Sequence, residues 1–388
     1  MTTEAMSPTL RTLDTTAYTS GSTHRFYLYP ARFHPDVARE ILTVFSRKGE
    51  WVMDPFMGGG TSIVEALALG RRVLGSDISA LAQFVADVRT RPLSPMDKEE
   101  VRLWAQKTTE CLSERDRSWV PHVGVVNLPR DAEIFLSGAL ELATRMIRRR
   151  SNFARTVLLR LGQLTIDCCD GDVPYREELP RRLLPLVNEM LAGLDSWVER
   201  CRESGIPKNA ITSWRLLLQR NAVALKDDRK VQRLFRRARL VFTSPPYPGV
   251  HVLYHRWQYR GRRETSAPFW IADVTDGAGG AYYCGGSRTP TGLRSYFEMI
   301  ARAFTSIGRF MHPDGHVVQI VGFSDVESQL PLYLDAMEEA GFRDVESSKI
   351  SAERLQRRVA NRRWYAKLKG DTDASTEFLL VHRLCRSP

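Results

Sequence analysis

The segment from Glu50 to Asp77 is the feature that most restricts the fold of this chain. A short strand leads from Glu50 into a glycine turn that ends at Thr61, a helix is predicted over Ser62–Leu69, and a second strand spans Arg72–Asp77. The order strand, glycine-rich turn, helix, strand and acid is typical of the opening of a nucleotide-binding sheet. The sequence therefore predicts an α/β fold with a doubly wound, Rossmann-like sheet.

The glycine pattern restricts the kind of ligand. After Gly58 and Gly60, the third glycine of a dinucleotide fingerprint would fall at position 63, which is Ile63, and no P-loop lysine follows. The glycines still permit a close backbone approach, and Asp77 is spaced to accept hydrogen bonds from ribose hydroxyls. This pattern favours a nucleoside without phosphate; a turn that serves only chain geometry is the alternative.

A second motif, Thr243-Ser-Pro-Pro-Tyr247, ends a strand that is predicted over Arg239–Thr243. Proline lacks an N–H and has a fixed φ, so the backbone here is stiff, extended and rich in carbonyl acceptors. Ser244 adds a hydroxyl and Tyr247 adds an aromatic face. Together they suit a planar group with an exocyclic amine, whereas an ordinary strand exit is the alternative.

The charge of the chain favours a polyanionic partner. Its 388 residues carry a formal net charge of +11. Arginine clusters stand at Arg148–Arg150, Arg233–Arg239 and Arg354–Arg363. A basic balance of this size is most often associated with nucleic acid, although a merely basic surface is the alternative.

Several features predict a cytoplasmic protein without a metal centre. No run of eighteen apolar residues predicts a transmembrane helix. Residues 1–23 have the composition of a disordered leader rather than of a signal peptide. The six cysteines form no CxxC pair, which fits a reducing compartment. His251 and His255 are spaced as on a helix but lack an acidic third ligand, so we expect no metal there.

The chain divides into three parts after the leader. Residues 24–94 and 216–388 carry the alternating α/β pattern, and residues 95–215 form a helical insertion. The α/β parts include an amphipathic helix after Pro35, a helix over Ile78–Arg89, a strand-like run at Ala222–Leu225 and a last strand near Glu377–His382. The helices of the insertion are predicted at Val101–Leu112, Ala132–Ile147, Phe153–Ile166 and Leu183–Val198. Target recognition, dimerisation and packing against the sheet all remain open for this insertion.

A long irregular segment, Val250–Gly292, is a candidate nucleic-acid interface. Arg260, Arg262 and Arg263 stand among tryptophans and tyrosines in it. Interleaved arginines and aromatic rings suit phosphates and unstacked bases. The length of the segment favours a functional loop over a compact connection.

Two motifs resemble those of one family, the amino-methylating DNA methyltransferases. Asp54-Pro-Phe-Met-Gly-Gly-Gly-Thr61 resembles the family's S-adenosylmethionine-binding motif, DPFxGxGT, and Ser244-Pro-Pro-Tyr247 resembles its catalytic motif, [DNS]PP[YFW]. Weaker similarities stand at Tyr29–Pro35, at Ser76–Ile78 and at Lys226–Arg229. The resemblance implies a Rossmann-like methyltransferase fold and S-adenosylmethionine as the cofactor.

The resemblance also implies roles for individual residues. The implied catalytic residues are Ser244, Pro245, Pro246 and Tyr247. The implied cofactor-binding residues are Phe33, His34, Pro35, Asp54, Pro55, Phe56, Gly58, Gly59, Gly60, Thr61, Asp77, Ile78 and Asp227. Because the cofactor motif precedes the catalytic motif, the order resembles the class with its recognition domain between them, which makes residues 95–215 the candidate recognition domain.

The motifs predict methyl transfer to an exocyclic amine. The Ser244 hydroxyl and the Pro245 carbonyl would accept hydrogen bonds from the amine, and Tyr247 would stack on a base flipped out of duplex DNA. No cysteine follows a proline, so carbon-5 methylation of cytosine is excluded. The resemblance implies cytosine N4 as the target, because a serine preceded by threonine is commonest among the cytosine-N4 members of the family. Adenine N6 in DNA and an exocyclic amine in RNA are the enzymatic alternatives.

The remaining expectations from the sequence concern the activity, the location and the partners of the protein. A non-catalytic binding protein that kept the fold is the alternative from a different class, and two complete motifs argue against it. We expect a nucleoid-associated enzyme of a restriction–modification system in a prokaryotic cytoplasm. A partner nuclease would be encoded separately, and the sequence leaves a homodimer open.

Overall fold

The computed structural model describes most of the chain. The described residues are 22–29, 34–113, 124–169, 171–234, 237–248, 251–252, 256–261, 263–276, 283–284, 289–345, 356–358 and 376–385. Residues 1–21 of the predicted leader, Phe33, His255 and Arg262 lie outside these ranges. The last residue of the predicted leader, Thr23, is buried in a short 3₁₀ helix, Thr23–Arg25.

The first part of the chain forms the predicted strand, turn, helix, strand and helix. In chain order the elements are α1 (Pro35–Phe45), β1 (Trp51–Asp54), α2 (Thr61–Ala68), β2 (Arg72–Asp77) and α3 (Ala80–Arg89). α1 starts with proline at its first position, and the His34 ring accepts a hydrogen bond from the Asp36 amide at 3.3 Å. α3 begins at the N-cap Ser79, whose hydroxyl accepts from the Ala82 amide at 3.3 Å.

The helices predicted between residues 95 and 215 are present and pack onto the sheet. They are α4 (Pro95–Ser113), α5 (Arg130–Thr144), α6 (Arg148–Thr165) and α7 (Tyr175–Glu203). The fully buried Trp197 of α7 donates a hydrogen bond to the Val64 carbonyl of α2 at 3.0 Å. The buried faces of α4 to α7 form one continuous hydrophobic core with α2 and α3. None of the described helices is both long enough and apolar enough to cross a membrane.

The second part of the chain completes the sheet. In chain order its elements are β3 (Arg215–Gln219), α8 (Arg229–Leu234), β4 (Ala238–Thr243), β5 (His251–Val252), β6 (Trp257–Tyr259), β7 (Arg263–Thr265), α9 (Ala267–Ala272), β8 (Tyr283–Cys284), α10 (Pro290–Gly308), β9 (Met311–Gly322), α11 (Val326–Glu339), β10 (Phe342–Asp344), β11 (Gln356–Arg358) and β12 (Thr376–Leu384). Two small pairs, β5 with β8 and β6 with β7, lie off the main sheet.

One strand differs from its prediction. Ala222–Leu225 was predicted as strand-like but belongs to a 3₁₀ helix, Ala222–Asp227, and the strand β3 comes just before it. The Leu216–Leu218 run of β3 is too short for its period to distinguish a strand from the end of a helix. The last strand is also longer than predicted and pairs with β9 along nearly its whole length.

The order of strands in the main sheet is β10-β12-β9-β4-β1-β2-β3. β3, β2, β1, β4 and β9 are parallel neighbours, and β12 runs antiparallel between β9 and β10. This confirms the predicted doubly wound, Rossmann-like sheet. The strand order reverses direction between β1 and β4, and ligands of such sheets bind at the carboxyl ends of the strands at that point.

Candidate active site

The two sequence motifs meet at the carboxyl ends of β1 and β4. The Thr243 hydroxyl at the end of β4 donates a hydrogen bond to Asp54 Oδ1 at the end of β1, over 2.6 Å. This contact joins residues 189 positions apart in the chain. It follows from the parallel pairing of β1 with β4, which aligns Val52 with Leu240 and so brings the two strand ends side by side.

Both carboxylate oxygens of Asp54 accept hydrogen bonds from the chain itself. The Ser62 hydroxyl of α2 donates to Oδ2, and the Phe56 amide donates to Oδ1 at 3.2 Å. The side chain is completely buried. Desolvation by burial raises the pKa of Asp54 to about 6, although these hydrogen bonds act in the opposite direction. Asp54 therefore fixes the turn from within and ties it to Thr243.

We expect Asp54→Asn to change the pH dependence of stability. The pKa of Asp54 rises from 3.8 to about 6 on folding, so the folded protein keeps a proton that the unfolded chain loses, and the free energy of unfolding falls as pH rises through this window. Asparagine does not titrate. As the pH rises from 4 to 7, the variant should therefore gain about 2 kcal/mol in free energy of unfolding relative to the unsubstituted protein.

Urea unfolding at several pH values measures this difference. Ser213→Ala, which replaces an exposed side chain that carries no carboxyl group, is the control, and its difference from the unsubstituted protein should be constant from pH 4 to pH 7. A difference between Asp54→Asn and the unsubstituted protein that stays constant from pH 4 to pH 7 would contradict the assignment.

The glycine turn is shaped largely by its contacts with the chain itself. Gly58 and Gly60 have φ values of +49° and +78°, which favour glycine. A Cβ on Gly59 would lie 2.5 Å from Tyr29 Cβ, and a Cβ on Gly60 would lie 2.9 Å from Ala86 Cβ. The close approach that the sequence assigned to a ligand is therefore made at Gly59 and Gly60 by the chain itself.

Asp77 stands at the end of β2 beside this turn. Its Oδ2 accepts from the Gly58 amide at 2.9 Å, and its Oδ1 accepts from the Ser79 amide at 2.8 Å. Burial raises the pKa of Asp77 to about 6. Each carboxylate oxygen has a second lone pair, and the neighbouring Ile78 side chain is 42% exposed. Asp77 can accept hydrogen bonds from sugar hydroxyls, and the exposed apolar side chain of Ile78 lies beside it. This combination fits a nucleoside.

Arg89, which the sequence analysis did not identify, holds a covering segment over the turn. It is completely buried at the end of α3. Its guanidinium donates to the carbonyls of Gly59, Tyr27 and His24, the last at 3.0 Å. These bonds place Tyr27 to Tyr29 against the glycine turn. No motif marks Arg89, because an arginine at a helix end is ordinary in sequence.

A second buried cluster anchors the same segment. The buried Glu65 of α2 contacts the His24 ring at 2.7 Å and accepts from Arg39 at 3.0 Å and from Arg200 at 2.7 Å. Burial raises the pKa of Glu65, but the hydrogen bonds from His24 and Arg200 lower it by a larger amount. The pKa of Glu65 therefore lies below its usual range. The cluster ties α1, α2 and α7 to the segment that covers the turn.

The second motif is hydrogen-bonded to two residues from distant elements, one through the Tyr247 hydroxyl and one through the Pro246 carbonyl. Ser244 Oγ lies 3.4 Å from the Tyr247 hydroxyl, which donates to Glu377 Oε1 of β12 at 2.6 Å. The Tyr296 hydroxyl of α10 donates to the Pro246 carbonyl at 2.8 Å. Pro245 is buried, and Ser244 is half-buried. Glu377 and Tyr296 were not identified from the sequence.

The other predicted cofactor residues fall into two groups. His34, Pro35, Pro55, Phe56 and Thr61 lie at the helix start and in the turn that border this edge. Asp227, by contrast, is exposed at the end of a 3₁₀ helix, and no hydrogen bond between described residues joins it to β2. Its neighbour Asp228 is buried and caps α8 through the Lys230 amide at 2.9 Å.

Arg220, which no motif singled out, lies next to Asp77 at the end of β3. The Arg220 amide donates to the Asp77 carbonyl at 2.8 Å, and the Ser76 hydroxyl donates to the Arg220 carbonyl at 2.7 Å. The exposed Asn221 follows Arg220. The end of β3, a strand that was not predicted, therefore brings Arg220 to this edge.

Two of the predicted nucleic-acid residues, Arg260 and Arg263, lie on the β6–β7 hairpin, and Arg262 lies outside the described residues. Arg260 has a φ of +44° and forms an ion pair with Asp172, while its guanidinium lies 5.5 Å from the Tyr259 ring centre. Arg263 is exposed and pairs with Tyr259 across the hairpin. The Cys168 amide donates to the Gln258 carbonyl at 2.7 Å, so the hairpin packs on the α6–α7 connection.

The comparisons with known proteins concern mainly the first motif. Residues 9–84 match the DNA methylase family of N6 and N4 methyltransferases. The chain is 41% identical over 76 residues to the type II methyltransferase M.MvaI of Kocuria varians, covering 19% of this chain and 17% of that protein. It is 32% identical over 66 residues to the type II methyltransferase M.MjaII of Methanocaldococcus jannaschii, covering 17% and 12%.

The family match does not reach the second motif. The family match includes Asp54–Thr61 and Asp77 but ends before Thr243–Tyr247. The aligned part is less than a fifth of either relative. Among solved structures, TrmN from Thermus thermophilus aligns with 93% of this chain and 52% of its own at a TM-score of 0.33 and 12% identity.

Proposed function

We propose that this chain is a DNA methyltransferase that transfers a methyl group from S-adenosylmethionine to an exocyclic amine, with cytosine N4 as the target. The hydrogen bond from Thr243 to Asp54 is the observation that carries the proposal. It joins a turn that matches the DNA methylase family to a motif suited to an amine, at the switch point of the sheet.

The residues around the glycine turn fit the proposed cofactor. Methyltransferases of the matched family use S-adenosylmethionine, which supplies an electrophilic methyl group. Asp77 would accept hydrogen bonds from the ribose hydroxyls, and Ile78 would contact the face of the adenine. His34 and Pro35, together with Phe33, would border the methionine end. Asp54, Pro55 and Phe56 would hold the turn that carries Gly58 to Thr61.

The second motif would orient the amine. The lone pair of an exocyclic amine is delocalised into its ring, so the amine is a poor nucleophile. The Ser244 hydroxyl and the Pro245 carbonyl would accept hydrogen bonds from its two N–H groups and favour a tetrahedral nitrogen. The rigid Pro245–Pro246 backbone, held by Tyr296, would keep these acceptors in place. Tyr247 would stack on the flipped base.

Ser244 is the basis for choosing cytosine N4 over adenine N6. Plasmid DNA is treated with the protein and digested to nucleosides, which are then identified by mass spectrometry. We expect the digest to contain N4-methylcytosine. Recovery of N6-methyladenine alone would reject the cytosine assignment and leave the amine chemistry in place. Methyl transfer to tRNA without transfer to duplex DNA would reject DNA as the substrate. Unmethylated plasmid incubated without S-adenosylmethionine is the control.

A further inference from the structure

The hydroxyl groups of the second motif are hydrogen-bonded in a chain that ends at a carboxylate outside both motifs. Ser244 Oγ contacts the Tyr247 hydroxyl at 3.4 Å, and that hydroxyl donates to Glu377 Oε1 at 2.6 Å. Glu377 pairs with Gly322, the last residue of β9, so it lies at the same sheet edge as the motif. It directly precedes the apolar run Phe378–Val381 of β12, which is buried.

We propose that Glu377 is a positioning residue for methyl transfer, which sets the direction of the hydrogen bonds that reach the target amine. This inference rests on the function proposed above. The Tyr247 hydroxyl is the donor and Glu377 Oε1 the acceptor, so the Tyr247 hydrogen points to Glu377. The Tyr247 oxygen then offers a lone pair to the Ser244 hydrogen.

The direction of this chain decides what Ser244 can do. A serine hydroxyl can donate or accept, and only an acceptor draws an amine hydrogen away and frees the nitrogen lone pair. With its own hydrogen directed to Tyr247, Ser244 Oγ presents its lone pairs to the amine. Glu377 thus fixes the acceptor role of Ser244 without contacting the base.

The same contact fixes the Tyr247 ring. A hydrogen bond to an ionised acceptor is shorter and stronger than one between neutral groups. Glu377 holds the hydroxyl end of the ring, and Tyr296 holds the backbone beside it through the Pro246 carbonyl. The ring face is therefore held in one orientation for stacking on a base.

Glu377→Gln and Tyr247→Phe, separately and together, test the inference. Glutamine keeps the shape of the side chain but can donate as well as accept, and phenylalanine keeps the stacking face but removes the hydroxyl. We expect each variant to lower the single-turnover rate at saturating S-adenosylmethionine about 10- to 100-fold. The double variant should be no slower than the slower single variant, because both substitutions break one chain.

Three further measurements separate positioning from a general loss of structure. The dissociation constant for S-adenosylmethionine and the midpoint of thermal unfolding should stay close to those of the unsubstituted protein. The rate should fall more than the KM for DNA rises. Glu339→Gln on the exposed face of α11 is the matched control and should transfer methyl groups at the unsubstituted rate.

The outcomes distinguish this inference from the proposed function. If Glu377→Gln transfers methyl groups as fast as the unsubstituted protein, the role of Glu377 is rejected while DNA methylation stands. Multiplicative rate losses in the double variant would also reject it, since the two groups would then act independently. If the unsubstituted protein methylates no nucleic acid, the proposed function and this inference both fail.

Discussion

Replacing Ser244 with alanine is expected to lower the single-turnover rate of methyl transfer to DNA by about 100- to 1,000-fold, the usual effect of removing one preorganised polar contact from a transition state. The substitution removes one of the two acceptors proposed for the amine and leaves the Pro245 carbonyl. It also leaves Asp77 and the glycine turn unchanged. Binding of S-adenosylmethionine, measured by calorimetry, should therefore stay the same.

Ser213→Ala is the matched control for this experiment. Ser213 is exposed and donates to the Ala210 carbonyl within a 3₁₀ helix of the helical part of the chain. Its removal should leave the rate of methyl transfer unchanged. A Ser244→Ala protein that methylates DNA at the unsubstituted rate would show that the hydroxyl has no part in the reaction. The assignment of the second motif as the amine site would then be wrong.

Replacing Arg89 with methionine is expected to lower the free energy of unfolding by about 3 kcal/mol, because it leaves buried carbonyl groups without donors. Arg89 donates to the carbonyls of Gly59, Tyr27 and His24 inside the protein. Methionine fills similar space but donates nothing. The segment Tyr27–Tyr29 should then detach from the glycine turn, and the affinity for S-adenosylmethionine should fall with it.

Arg91→Met is the control for this prediction. Arg91 lies two residues further along, with its side chain 39% exposed in an ion pair with Asp87. A partly exposed pair of this kind contributes about 1 kcal/mol or less. Urea unfolding of both variants measures the difference. Equal losses for Arg89→Met and Arg91→Met would contradict the role of Arg89, as would an unchanged affinity for S-adenosylmethionine.

The elements that the sequence predicted well are those with strong local signals. α1, α2 and α3 were expected from helical spacing, from Asp36 in the first turn of α1 and from Gly70 after α2. The turn at Gly58–Gly60 follows from backbone conformations that only glycine adopts readily. These signals act over a few residues. They suffice to predict a doubly wound sheet, which the strand order confirms.

The missed strand shows where local signals are insufficient. β3 contains one short leucine run between polar residues, and its strand state depends on pairing with β2, where Leu216 aligns with Leu74. The end of β3 brings Arg220 beside Asp77, where the Arg220 amide donates to the Asp77 carbonyl. This neighbour depends on topology, because a residue lies at this sheet edge only if its strand ends there.

The sequence by itself determined the doubly wound order of elements and the two motifs, since both depend on periodicity and on the conformational limits of glycine and proline. Only the tertiary structure decided how the motifs are used. The Thr243–Asp54, Tyr247–Glu377 and Arg89–Gly59 contacts join residues 189, 130 and 30 positions apart. Such contacts follow from which strands are neighbours, and no local pattern in the chain encodes that.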